Sequence, residues 1–193
     1  MKRFLVVPVL ALAMLVGACG AAQWVKVAQQ ILPVVLPMVT NLVTAVGLLQ
    51  GKTVSAADLN SITQSANQVC SDLNLVGQLI SQYQSSPNVT TVEKINTVIA
   101  EVNSNLNALL PALHISDPAT IQKIAAIVTL VSSEVNSLEQ LLPTVSAGKL
   151  TARQAAIPAP LNAGELKKQY NAIVTRTTAN PQVNRAFAGA TLN

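Results

Sequence analysis

Charge is scarce in this chain of 193 residues: Asp, Glu, Lys and Arg make up 10%, against about 25% in an average globular protein. Aromatic residues are scarcer still, at 3%, with two Phe, two Tyr and one Trp. That excludes a nucleic-acid surface built on base stacking. Two cysteines are too few for a disulfide scaffold. One histidine and no Glu-x-x-His leave a zinc cluster or a di-metal bundle site without ligands. Disorder is excluded by what is abundant, since hydrophobic residues make up 50% and disordered chains have little hydrophobicity and much net charge.

The apolar residues begin at once. Lys2 and Arg3 precede an uncharged run from Phe4 to Val16, followed by small residues through Ala22. A basic start, an apolar stretch too short for a comfortable span and a small-residue end describe an export signal. Within it, Leu15-Val16-Gly17-Ala18-Cys19 resembles the lipobox of bacterial lipoproteins. The resemblance covers only the signal region. It implies cleavage after residue 18, a diacylglyceryl group on the Cys19 sulfur and acylation (palmitate or a similar chain) of the new amino terminus. Two or three acyl chains anchor a protein stably where one does not. Gly20, rather than Asp, follows the cysteine, which by the same resemblance implies the outer membrane, facing the periplasm. Removing residues 1–18 takes Lys2 and Arg3 away and lowers the net charge from +4 to +2. That value gives no reason to expect nucleic acid.

After residues 19–23, a short linker, the segment 24–49 is apolar and contains Pro33 and Pro37. It reads as a buried first helix, kinked or beginning near Leu36; the alternative is a segment that enters the bilayer. Trp24 and Lys26 are the residues placed to meet the membrane interface. Three further segments repeat their apolar residues every three and four positions. In 56–85 these run from Leu59 and Ile62 to Ile80 and Tyr83, and in 90–113 from Val92 and Ile95 to Leu113. In 118–145 they run from Ile121 and Ile124 to Leu142 and Val145. That spacing predicts helices joined by coiled-coil-like seams. Strands would need period 2, which no segment shows. Ser55, Thr90 with Glu93, and Asp117-Pro118 are expected helix starts.

The expected fold is all-α, an antiparallel bundle of four main helices over residues 24–148. A basic segment, 149–193, follows with one short helix near 165–178 and a loose tail from 182. Residues 51–148 carry a net −4 and residues 149–193 a net +5, so the tail is expected to fold back on the bundle or to touch an anionic surface. The third and fourth helices read as a degenerate repeat: Glu101-Val-Asn-Ser104 matches Glu134-Val-Asn-Ser137, and Leu109-Leu-Pro111 matches Leu141-Leu-Pro143.

His114, with Ser116 and Asp117 in one short loop, is too local an arrangement for a catalytic triad. Glu93, Glu101, Glu134 and Glu139 fall off the seams and are expected in solvent. Cys70 is expected as a buried small hydrophobe. Asn60, Asn67 and Asn74 recur every seven residues, as do Gln64, Ser71 and Gln78; such columns suit a partner helix or another copy. No catalytic residue, cofactor or metal is expected. The expectation is a lipid-anchored, non-enzymatic envelope module, structural or interacting. The alternatives are a carrier of an apolar ligand between residues such as Val69, Ile99 and Val128, and a membrane-active protein using 24–49.

Overall fold

The computed structural model describes residues 6–109, 115–146, 148–151 and 161–193, with side chains described from residue 23 onward. Its helices are α1 (Val6–Gly47), α2 (Ala56–Ser85), α3 (Val89–Leu109), α4 (Pro118–Leu141), α5 (Ala163–Thr175) and α6 (Pro181–Ala188). Between α4 and α5 lie two short strands, β1 (Thr144–Ser146) and β2 (Lys149–Thr151), paired antiparallel. The fold is an all-α bundle. α2 packs on α1 and α3, α4 packs on α1 and α3, and α5 and α6 cover α1 beside α4. The expected seams form its core: Ile62, Val69, Ile80, Val92, Ile99, Val128 and Leu138 are buried.

Four local expectations change. α1 is unbroken through Pro33 and Pro37. Both prolines lie off the buried face, Pro33 exposed and Pro37 half-buried, so the carbonyls they leave unpaired turn outward, where water can satisfy them. The cap of α3 is Asn88, two residues before the expected Thr90: its Oδ1 accepts from the Thr91 amide at 2.9 Å and the Thr91 hydroxyl at 3.0 Å. Ile121 is exposed, because Thr120 and Lys123 turn inward instead. The β-hairpin escaped the search for period 2 because each strand is only three residues long; Gly148, at φ +70°, supplies the left-handed backbone of its turn.

The largest correction concerns the tail. Residues 182–193 are not loose: α6 buries Val183, Ala186 and Phe187, and Ala190 is buried after it. Asn180 caps α6 through the Gln182 amide at 2.9 Å and also donates to Asp117 Oδ1 at 3.0 Å, tying the starts of α6 and α4 together. The basic segment folds back through apolar burial and hydrogen bonds to the bundle. The Ile157-Pro-Ala-Pro160 stretch, where the sequence leads one to expect a break in the chain, lies outside the described residues, as do Pro111, Leu113 and His114.

Candidate functional site

The amino-terminal features come first along the chain. Cys19 lies within α1, and its side chain is outside those described. The apolar N-terminal helix is compatible with a signal sequence or membrane anchor. Trp24 does not offer its ring to a membrane interface: it is 3% exposed, and its ring meets Tyr83, at the end of α2, with centroids 5.3 Å apart. Packing against the partner helix claims the indole, whose Nε1 is buried with no hydrogen-bond partner among the described residues. Lys26 is exposed. The stretch Gln23–Gly47 is long and apolar enough to cross a membrane, yet half of its most apolar window is buried inside the fold.

Two charged residues of α4 hold the C-terminal segment. Lys123 is buried, and its Nζ donates to the carbonyls of Ile173 at 3.0 Å, Val174 at 2.7 Å and Arg176 at 2.7 Å. A cation is favoured there, where the last carbonyls of α5 face outward unpaired. The ammonium also lies 5.3 Å from the centroid of the Phe187 ring, within cation–π range. Burial, and then the nearby Arg176 charge, lower the Lys123 pKa. Glu134, expected in solvent, is instead buried; its Oε2 accepts from the Leu161 amide at 3.1 Å, just ahead of α5. Burial raises its pKa, with the amide bond pulling it back. Lys123 and Glu134 thus grip the two ends of α5. These contacts are structural.

Ser116 is exposed, and Asp117 works as the cap of α4, its Oδ2 accepting from the Thr120 amide at 2.8 Å. Among the described residues, no group of three His, Cys, Asp or Glu side chains is placed to share a metal ion. Cys70 is half-buried beside Thr40, and burial raises its thiol pKa, so it lacks thiolate character at neutral pH.

What remains is surface. The residues of both polar columns, Asn60, Gln64, Asn67, Ser71, Asn74 and Gln78, are all exposed along α2. Sequence reasoning missed two grooves, because each joins residues from separate helices. One, of about 410 Å³, lies between the end of α1 and α6, with Leu48, Lys52 and Arg185 in its walls. Leu48 is 57% exposed. The other, of about 380 Å³, lies between α2 and α3 and is mainly apolar, with Leu75, Leu79 and Val98 flanked by Thr90, Glu93, Lys94 and Thr97. Leu75 is 41% exposed. An exposed leucine in each groove was the available signal, though only the fold shows that a groove surrounds it. No family model, no curated protein and no solved structure matches this chain.

Proposed function

We propose that this protein is an exported, lipid-anchored bundle that works without catalysis as a structural or interaction module of the bacterial cell envelope, at the periplasmic face of the outer membrane. The observation that carries the reading is the continuity of α1. One helix runs from the lipobox-like segment ending at Cys19 into the buried residues Val25, Ile31 and Met38. An acyl group on Cys19 would therefore be joined to the core by helix rather than by a flexible linker. The exposed Asn and Gln columns of α2 supply a neutral surface for a partner or a second copy.

The alternatives ask more of the fold. A carrier would have to part Val69, Ile99 and Val128, all of which are packed in one shared core. Insertion of 24–49 would pull α1 from its contacts with α2, α4, α5 and α6. Intact-mass measurement of the protein purified from its own membranes tests the anchor. The expected mature chain begins at Cys19 and carries diacylglyceryl and acyl masses; an unmodified chain beginning at Gln23 overturns the reading. Crosslinking in intact cells, with partners identified by mass spectrometry, tests the interaction role; absence of any specific crosslink counts against it.

A further inference from the structure

The groove between the end of α1 and α6 continues into a smaller hollow of about 130 Å³, and Leu48, Arg185 and Ala186 line both. The two form one cleft. Its mouth carries two cations. Lys52 Nζ donates to the Leu48 carbonyl at 3.3 Å, which leaves its other protons free. Arg185 is exposed and makes no hydrogen bond or ion pair among the described residues. Among those residues, no carboxylate lines either part of the cleft. The inner part is narrow and mainly apolar, with Ala45, Ala186 and Ala190 buried along it. Its polar residues, Asn41 and Thr44, already donate to the carbonyls of Ala190 and Thr40. Leu48 is the most exposed large hydrophobic side chain among those described. A helix end favours positive charge, which accounts for Arg185 in the last turn of α6. It does not account for a bare leucine beside two like charges.

We propose that this cleft binds a small anionic amphiphile, with a phosphate or carboxylate head on Lys52 and Arg185 and one alkyl chain along Leu48 toward Ala45 and Ala190. A guanidinium meets such a head with paired hydrogen bonds, and an ammonium meets it as a point charge. A bare anion leaves Leu48 in water, and a neutral chain leaves both cations unanswered; an amphiphile answers both. Size selects a small ligand over a peptide helix. A helix with its side chains is about 10–12 Å across, so roughly one turn of it fills the groove, whereas small-molecule sites run from about 300 to 1,000 Å³. The chain's own lipid is not the occupant. Cys19 and Gly47 are 28 residues apart on α1, about 42 Å, and an acyl chain spans half of a bilayer core, about 15 Å. The inference goes beyond the module reading and holds whether or not Cys19 is acylated. The core also stays closed, since none of Val69, Ile99 and Val128 lines the cleft.

The test uses the full chain, purified from its own membranes into nanodiscs of neutral phosphatidylcholine, with empty discs as the blank. Octyl phosphate, kept below its micelle concentration, is the probe; octanol and inorganic phosphate are its two halves. In isothermal titration, octyl phosphate is expected to bind saturably, at one site per chain. It is expected to bind at least tenfold more tightly than either half, which is about 1.4 kcal/mol. Arg185→Glu, Lys52→Glu and Leu48→Asp, all at exposed positions, are each expected to weaken binding about tenfold or more, with unchanged circular dichroism. An analogue with a diazirine at the end of its chain is expected to label residues 41–48 or 186–190. Vesicles of anionic phospholipid separate two sources of the ligand. Cosedimentation of the loaded discs with them, lost in Arg185→Glu, assigns it to a facing bilayer; octyl phosphate binding without cosedimentation assigns it to a free amphiphile. Either half binding as tightly as octyl phosphate, binding indifferent to Arg185→Glu and Lys52→Glu, or labels confined to other residues overturns the proposal. So does cosedimentation without octyl phosphate binding, because the cations then meet a membrane surface and the cleft holds nothing.

Discussion

Asn103 Nδ2 donates to Asn136 Oδ1 across 2.7 Å, and the two asparagines hold the same place in the Glu-Val-Asn-Ser tetrads of α3 and α4. Equivalent residues that touch one another lie on a local two-fold axis between antiparallel helices. The degenerate repeat is thus also a contact between its halves. Asn103 is half-buried, and its Oδ1 is buried without a partner among the described residues. A double-mutant cycle on Asn103→Ala and Asn136→Ala is expected to give a coupling of about 0.5–1 kcal/mol, the range of a neutral hydrogen bond. Denaturant unfolding of the four proteins measures it, and additive single effects would remove the pair from the account of α3–α4 register.

Lys123 makes a sharper prediction. Lys123→Ala deletes three carbonyl partners at once and opens a hole under Phe187. It is expected to destabilise the fold by about 3 kcal/mol, the scale for breaking buried charged hydrogen bonds. Lys123→Met keeps the apolar stem against the ring and is expected to cost about half as much. Amide hydrogen exchange locates the loss: the last turn of α5 and all of α6 lose protection first in the alanine variant, ahead of α2 and α3. Uniform loss across the bundle would show that Lys123 does not act through the C-terminal segment.

The burial of Lys123 also shows how far the residues alone could be read. Apolar spacing is local, so Ile62 to Tyr83 in α2 and Val92 to Leu109 in α3 declared their buried faces directly. The polar columns of α2 were legible for the same reason. Glu134 was not, because its burial depends on Leu161, 27 residues away. Trp24 looked like an interfacial anchor because its partner, Tyr83, closes a different helix. The tail from residue 182 looked loose because its few apolar residues are scattered; Phe187 becomes informative only once Lys123 lies over its ring. The α2–α3 groove combines these cases. Lys94 and Leu75 are unremarkable apart, and the fold makes them neighbours.

The buried carboxyl of Glu134 sets a pH dependence with a definite sign. Burial holds its folded-state pKa above the ordinary value of 4.5, despite the Leu161 amide. Below 4.5 the group is protonated in both the folded and the unfolded chain and contributes no slope. Between 4.5 and the raised value the folded state keeps the proton that the unfolded state releases, so stability falls as pH rises. Above the raised value both states are ionised, and the full cost of a buried charge remains. Glu134→Gln keeps an oxygen for the Leu161 amide and removes that charge. It is expected to match the parent near pH 4 and to exceed it by about 1 kcal/mol at pH 7, the scale of replacing a buried ion by a neutral isostere. Asp117 slopes the other way, since its hydrogen bonds to Asn180 and Thr120 lower its pKa despite burial. The informative quantity is therefore the difference between variant and parent in urea titrations at pH 4, 5.5 and 7. A difference that is flat across the three, or largest at pH 4, would mean that the Glu134 carboxylate is not the source of the slope.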